Sequence, residues 1–407
     1  MGFLAKRTVI LGVGAGIAAY RACELARLLM KRGANVRAVM TPNAQKFVAP
    51  LTFQALTGHP VLTDLFDPSQ DGTFGHLELG RAASLFLVAP ATADLLARIR
   101  GGLADDPVTT ALLAARCPVL LAPAMNTAMW ENSQTQQNVR ALLSDGRFSV
   151  VGPGIGTLAD GDVGAGRLAE PPDIAEAAEA LLAPKDLKGL RVVVTAGPTR
   201  EHLDPVRFLS NPSSGRMGYA LARAAAMRGA QVLLISGPTE LAPPAGVEVR
   251  RVTSAEEMAA AALPEIPSCQ LFLAAAAVAD QRPKERAPQK VKKREGEESL
   301  VLVRTPDVLL AASAALSKGE RPLLVGFAAE TENVVENARE KLSRKKLDLI
   351  AANDVAEAGS GFATDSNRLV LLDRTGHVVG LEAMTKEDAA HALLDRALSL
   401  RMQGPSA

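Results

Sequence analysis

Cysteine is scarce in this chain. Its 407 residues hold three, Cys23, Cys117 and Cys269, far apart and without paired spacing, which argues against a disulfide scaffold or thiolate metal centre and for a reducing compartment. Aromatic residues make up only 3%, so the core is expected to be aliphatic and alanine-rich, and platforms for stacking nucleic-acid bases are missing. Charge of one sign is missing too: 45 basic against 44 acidic residues leave a net charge of +1. No long-range field then draws the chain to nucleic acid or an anionic membrane, and any anion site must be local. No apolar run reaches the length of a membrane span. The first residues, Met1 to Arg7, pass straight into a strand without the apolar stretch and cleavage site of a signal peptide, so the chain is expected to be cytoplasmic. The five histidines show no ligand spacing, which argues against a histidine-built metal site.

What is present is alternation. Short apolar strands over 8–11, 36–40, 85–89, 119–122 and 148–151 are separated by helical stretches over 16–32, from Pro42 onward, and over 91–100, 108–116 and 131–144. Strands apolar on both faces in such an order imply a parallel sheet covered by helices on each side, a three-layer α/β architecture. A helix over 173–182 ends at Ala183-Pro184-Lys185-Asp186, and a new strand opens at Arg191. The length suits two domains, and this break gives 1–185 and 186–407. The second domain repeats the pattern, with strands near 191–195, 231–235, 247–252, 271–275, 323–327, 348–352 and 367–372 and helices near 217–228, 255–263, 306–316, 332–346 and 386–400. A turn at Arg374-Thr375-Gly376-His377 joins two strands and gives that sheet a mixed edge. Gln281 to Ser299 is rich in Pro, Lys, Glu and Arg without apolar periodicity; it is expected to be a flap beside a phosphate site or a solvated loop.

The densest run of chemistry-bearing residues opens the second domain. Gly197-Pro198-Thr199-Arg200-Glu201 leads to Asp204-Pro205-Val206-Arg207-Phe208-Leu209-Ser210-Asn211-Pro212-Ser213-Ser214-Gly215-Arg216-Met217-Gly218, between an apolar strand and an alanine-rich helix. A strand emptying into such a loop and then a helix N-terminus aims backbone N–H groups, small hydroxyls and arginines at one place. That points to an enzyme using a nucleotide or a phosphorylated substrate. In the first domain Gly12-Val13-Gly14-Ala15-Gly16 follows the first strand, but Ile17 stands where a dinucleotide fingerprint needs its third glycine, and no acid closes the second strand, which ends in Thr41. A nicotinamide dehydrogenase therefore fits poorly, while a phosphate at the helix start, with the Thr41 hydroxyl as a second contact, fits. Three clusters sit at strand C-termini, where open α/β sheets bind ligands: Ala89 to Asp94, Gly101 to Asp106 and Ala122 to Trp130. His76 stands alone, and a structural role and a role as a base near neutral pH both remain open.

These residues carry a resemblance. Pro123-Ala124-Met125-Asn126 with Trp130 four residues on, Pro90-Ala91-Thr92-Ala93-Asp94 and His76 resemble the flavin-dependent cysteine decarboxylase family. Gly197 to Gly218, Ala276-Ala277-Val278-Ala279-Asp280, Lys290-Val291-Lys292-Lys293, Gly326-Phe327-Ala328-Ala329-Glu330-Thr331 and Ala352-Asn353-Asp354-Val355 resemble phosphopantothenate–cysteine ligase. In this order, over nearly the whole chain, they resemble the bifunctional phosphopantothenoylcysteine decarboxylase/phosphopantothenate–cysteine ligase family of bacterial coenzyme A synthesis.

The resemblance implies two Rossmann-like three-layer α/β domains, a flavoprotein fold and then a ligase fold with a mixed sheet. It implies that the ligase half activates 4′-phosphopantothenate with CTP and Mg2+ as an acyl-cytidylate, which L-cysteine then attacks. By that likeness Asn211 steadies the acyl intermediate, Lys290 serves the attacking amine, Arg207 and Lys345 neutralise substrate and triphosphate, and Asp280 holds Mg2+ directly or through water. Ala276, Phe327 and Asn353 line the nucleotide and substrate pocket. The decarboxylase half would hold FMN through Gly12, Gly14, Ala15, Gly16, Thr41, Thr92 and Met125, the flavin acting as the electron sink that lets CO2 leave. His76 would be the base, Asn126 would bind the substrate carboxylate, and Asp160 occupies the flap position of the last proton donor. FMN at trimer contacts and ligase domains paired as dimers imply a homo-oligomer, up to a dodecamer. The chain departs from the family pattern at Gly14 and Ala15, where the family has serine and glycine, and at Asp160, where it has cysteine. A ligase with an impaired decarboxylase half, and a non-catalytic regulatory flavoprotein, are the alternatives left open.

Overall fold

The computed structural model describes residues 2–66, 75–159, 161–292, 299–315, 321–330, 332–354 and 366–403. The chain divides into two units, Met1–Ala183 and Pro184–Ala407.

The first unit runs β1 (Thr8–Val13), α1 (Ala19–Lys31), β2 (Asn35–Met40), α2 (Pro50–Thr57), α3 (Gly75–Ala82), β3 (Leu85–Ala91), α4 (Ala93–Gly101), α5 (Pro107–Ala114), β4 (Val119–Pro123), α6 (Thr127–Glu131), α7 (Ser133–Ser144) and β5 (Phe148–Val150), then β6 (Gly154–Thr157), β7 (Val163–Arg167) and α8 (Pro171–Leu182). Strands β1 to β5 form one parallel sheet in the order β2-β1-β3-β4-β5. Side chains alternate across it: Val9, Leu11 and Val13 join a core with α1, α2 and α8, while Ile10 joins the core with α3, α4, α5 and α7. On α1, Ala19, Ala22, Leu25, Ala26 and Leu29 are buried at helical spacing, and each buried leucine contributes about 1.5–3 kcal/mol. The helix expected from Gly16 starts at Ala19, because Gly16 has φ +137° and cannot continue a helix. The stretch expected to be helical from Pro42 is a single 3-10 turn, Ala44–Lys46, followed by α2 with Pro50 in its first turn. The antiparallel hairpin β6–β7 is an addition that the alternation did not announce. Because β2 and β3 lie on opposite sides of β1, a crevice opens over the C-terminal ends of β1 and β3.

The second unit runs β8 (Arg191–Ala196), β9 (Arg200–His202), β10 (Phe208–Ser210), α9 (Arg216–Met227), β11 (Gln231–Ser236), β12 (Glu248–Arg251), α10 (Ala255–Ala262), β13 (Leu271–Ala274), β14 (Gln281–Pro283), β15 (Leu302–Arg304) and α11 (Val308–Ala314). It continues with β16 (Leu323–Glu330), α12 (Val334–Arg344), β17 (Leu349–Asp354), β18 (Ser366–Asn367), β19 (Val370–Asp373), β20 (Val378–Gly380), β21 (Met384–Thr385) and α13 (Lys386–Met402). The main sheet has the order β12-β11-β8-β13-β16-β17-β19-β20; it is parallel as far as β17 and antiparallel through β19 and β20, which makes the expected mixed edge. Again the first strand, β8, has its successors on opposite sides, so a second crevice opens between β8 and β13. The expected strand over 367–372 is two pieces, β18 and β19, and the expected flap begins as a strand, since Gln281 pairs with Arg304 in an antiparallel ribbon. Residues 293–298 of that segment lie outside the described residues. No helix among the described residues is long and apolar enough to cross a membrane.

Candidate active sites

In the first unit a cavity of about 520 Å³ lies over the C-terminal ends of β1, β3 and β4. Ala15 and Gly16 after β1, Pro90 in β3 and Ala124, Met125 and Asn126 after β4 form its floor, while Thr157, Leu158 and Ala159 from the hairpin cover it. Two glycines make the approach possible: a Cβ on Gly14 would stand 2.3 Å from the Pro90 carbonyl oxygen, and one on Gly166 would stand 2.2 Å from the Met125 carbonyl oxygen. Asn126 lines the cavity and caps α6, its Oδ1 accepting from the Ala128 N–H at 2.8 Å. Arg21 and Arg167 also line the wall. Arg21 Nη2 donates to Glu170 Oε2 at 2.5 Å, and Arg167 Nη2 pairs with Glu170 Oε1 at 2.8 Å.

The structure does not bring every expected flavin contact to this wall. Gly12 lies inside β1, where a Cβ would meet Val108 Cγ1 at 2.9 Å, so its glycine serves helix-to-sheet packing. Thr41 Oγ1 accepts from the Ala44 N–H at 3.2 Å and Thr92 Oγ1 from the Leu95 N–H at 3.2 Å; both hydroxyls start helical turns, and neither lines the cavity. His76 sits on α3 and is not part of the wall within one chain. Asp160 lies outside the described residues, although its neighbour Ala159 lines the cavity.

In the second unit a cavity of about 780 Å³ opens over β8, β13 and β16. Its floor is the 276–280 segment, which is held from two sides. The Ala276 N–H donates to Thr195 Oγ1 at 3.3 Å, the Ala277 N–H to the Gly197 carbonyl at 2.9 Å and the Ala279 N–H to Thr199 Oγ1 at 3.0 Å, while the Asp280 carbonyl accepts from the Thr305 N–H at 3.1 Å. Ala276, Asp280, Phe327 and Lys345 all line this cavity. Lys345 Nζ lies 2.7 Å from Asp307 Oδ2. Burial pushes the Asp307 carboxyl up, but the hydrogen bond from Lys345 and the Leu310 N–H outweigh it and hold the group below its usual range. Asn211 is adjacent to the floor, its Nδ2 donating to the Ala277 carbonyl at 3.0 Å.

Arg207, expected to face substrate, is half-exposed and paired with the buried Asp204. Asp204 is fully buried and accepts from Arg207 Nε at 3.0 Å, from the Val206 and Arg207 N–H groups at 2.8 Å each, and from the Val291 N–H at 3.2 Å. Burial alone would raise that carboxyl, but these donors hold it well below the usual carboxylate range. The knot ties the Arg207 turn to the segment carrying Lys290, which is exposed; neither Arg207, Lys290 nor Asn353 lines the 780 Å³ cavity.

Residues that sequence reasoning passed over complete the wall. Lys341 Nζ donates to the Phe327 carbonyl at 2.8 Å; burial, and then the charge of Lys345, push its pKa below the ordinary lysine value. Lys341 and Lys345 stand one helical turn apart, a spacing visible in the sequence. Arg304, Asp307 and Glu330 add charges of both signs. Among the described residues no group of three His, Cys, Asp or Glu side chains could hold a metal alone; Mg2+ commonly needs only one or two carboxylates beside substrate phosphates and water, which Asp280 fits.

The flavoprotein family model matches residues 3–183, and that of the DNA/pantothenate metabolism flavoprotein C-terminal domain matches residues 187–400. The chain is 48% identical over 393 residues to the coenzyme A biosynthesis bifunctional protein CoaBC of Vibrio cholerae serotype O1, covering 96% of this chain and 98% of that one. It is 47% identical over 396 residues to the protein of the same name from Escherichia coli strain K12, covering 96% and 97%. Among solved structures, that of the C-terminal domain of coenzyme A biosynthesis bifunctional protein CoaBC is 39% identical and covers 53% of this chain and 97% of that one, with a TM-score of 0.45. With relatives of this identity along nearly its whole length, the chain belongs to the family of coenzyme A biosynthesis bifunctional proteins, a flavoprotein domain followed by a DNA/pantothenate metabolism flavoprotein C-terminal domain.

Proposed function

We propose that the first unit is the FMN-dependent phosphopantothenoylcysteine decarboxylase and the second the CTP-dependent phosphopantothenate–cysteine ligase of coenzyme A biosynthesis. The observation that carries this is the pair of separate cavities, each at the topological switch point of its own sheet, in a chain of the bifunctional family. Substrates are 4′-phosphopantothenate, L-cysteine and CTP.

In the ligase unit Lys341 and Lys345 neutralise the triphosphate, Asp280 shares Mg2+ with it, and Phe327 packs against the nucleotide. Asn211, held beside the Ala277 carbonyl, donates to the oxygen where charge develops. Lys290 reaches the attacking amine from the segment that Asp204 anchors. In the decarboxylase unit the apolar wall of Ile17, Met125, Leu158 and Leu168 suits a planar ring, and bound flavin supplies a reversible electron sink. Asn126 holds the substrate carboxylate. His76 serves as base from a neighbouring copy across a trimeric contact, which accounts for its distance from the wall of its own chain. Location in the cytoplasm and a larger homo-oligomer belong to the same proposal.

Supplying 4′-phosphopantothenate, cysteine, CTP and Mg2+ to the full chain is expected to release pyrophosphate and then CO2, from a yellow protein. Pyrophosphate with ATP but not CTP would remove the nucleotide assignment, and a colourless protein the flavin. A second reading, a ligase with a stalled decarboxylase, is favoured by Asp160: an ordinary aspartate near pKa 3.9 is ionised at neutral pH and gives no proton. Under that reading CO2 appears in a single turnover with an accumulating enethiol, and Asp160→Cys restores repeated turnover. A wild-type protein that turns over repeatedly dismisses it.

A further inference from the structure

We propose that Arg21 and Arg167, aligned by the one carboxylate of Glu170, form a grip for a phosphate monoester at the edge of the first cavity. This rests on that cavity being the flavin site. The two arginines come from distant parts of the chain, Arg21 from α1 just after the glycine-rich turn and Arg167 from the last position of β7. They are the only charged residues among the described ones lining the cavity. Each oxygen of Glu170 takes one guanidinium, at 2.5 Å and 2.8 Å. A guanidinium has five donors, so one shared carboxylate fixes the two planes while leaving donors on both. Glu24 lies 3.6 Å from Arg21 Nε but is 63% exposed, so water screens its effect. Beside an otherwise uncharged wall, charge-assisted contacts from two forked cations match the oxygens of a phosphate dianion.

Two ligands of this site carry that chemistry, the 5′-phosphate of FMN and the 4′-phosphate of the substrate. A purely structural use of the same trio, tying the hairpin to α1, would treat phosphorylated and unphosphorylated ligands alike. The test uses full-length protein stripped of flavin, as wild type, Arg21→Gln, Arg167→Gln and Arg21→Lys. Flavin fluorescence quenching gives affinities for FMN and riboflavin; on flavin-loaded protein, shifts of the visible flavin band give affinities for 4′-phosphopantetheine and pantetheine. In one pair the phosphorylated member is expected to lose about 10- to 100-fold in the glutamine variants, with its partner unchanged and Arg21→Lys intermediate. The pair that responds identifies the source of the phosphate. Unchanged ratios in both pairs, or equal losses for both members, would overturn the grip while leaving the flavin assignment standing. Wild-type protein that binds neither flavin would overturn the flavin assignment and the grip together.

Discussion

Replacing Gly218 by alanine probes how closely α9 must sit on β8 for the second unit's cavity to form. A Cβ at Gly218 would stand 2.5 Å from the Ala196 Cβ and 3.0 Å from both the Ala196 Cα and the Thr195 carbonyl oxygen. Carbon atoms pack at about 3.5–4.0 Å, so the helix must retreat by roughly 1 Å. None of the three obstructing atoms can rotate away. Overpacking of this kind costs about 1–3 kcal/mol, at the upper end where backbone is the obstacle, and alanine recovers at most about 1 kcal/mol in helix propensity. The net loss of about 2 kcal/mol lowers Tm by roughly 4–8 °C for a unit of about 200 residues. Ala196 adjoins Gly197, so the retreat also displaces the loop that carries Asn211, and a misplacement of about 1 Å costs up to roughly 100-fold in rate. Calorimetry and pyrophosphate release on the full chain measure both effects. Gly380→Ala is the control, because nothing lies within 4 Å of its added Cβ; it is expected to be neutral or to gain about 0.4–1 kcal/mol. If Gly218→Ala matched the Tm and rate of Gly380→Ala, the steric reasoning would be refuted.

Three further outcomes follow from the second unit. Lys341 is held below its ordinary pKa by burial and by Lys345, against Glu330, Asp280 and Asp307; a bound triphosphate draws the proton back, so nucleotide affinity falls by up to about tenfold per pH unit above the free-state pKa. Lys341→Arg, charged throughout, flattens that titration, and equal slopes for both proteins would contradict the coupling. Burial, and then the Arg228 cation, push His391 down to about 4 from 6.5, so between these values the unfolded chain binds a proton that the folded one refuses. Stability therefore falls as pH drops through that window, and His391→Gln softens the fall in Tm; parallel curves would count against it. Asn211→Asp keeps substrate binding but lowers kcat by about 100- to 1000-fold, since a fixed anion replaces a donor where oxyanion charge develops; near-normal kcat would remove Asn211 from the mechanism.

The parallel sheets were legible because both-sided apolar strands such as Leu85–Ala91, buried throughout, leave no other architecture. The mixed edge was legible from the turn before His377. Three-residue strands such as Arg200–His202 and Phe208–Ser210 carry too little periodicity to announce themselves. The β6–β7 hairpin left one usable signal, Gly164 and Gly166 two apart, marking where β7 presses on the turn at Met125 to Thr127. Arg207 was legible as a cation but its pairing with Asp204 was not, because that buried carboxylate is positioned by an Asx turn and by Val291, far away in sequence. Lys341 was missed because a one-turn lysine pair is shared by many solvated helices, and only the tertiary path of β16 brings the Phe327 carbonyl to it.

Both cavities occupy the same place in their sheets, yet their walls differ in kind. The first confines charge to Arg21 and Arg167 and is otherwise uncharged, mainly apolar around Ile17, Met125, Leu158 and Leu168. The second interleaves Arg304, Lys341 and Lys345 with Asp280, Asp307 and Glu330. An apolar wall with cations at one edge suits a planar ring bearing a single anionic end. A wall of mixed sign suits a polyphosphate, whose negative charge is met by lysines while a carboxylate shares its metal. The crevice comes from strand order, which the two units share; the reaction comes from the few side chains that follow each strand, which they do not. Exchanging strand residues such as Val9 or Val193 for similar apolar ones should therefore move stability, whereas changes in the loops after β4 and β13 should move chemistry in one unit alone.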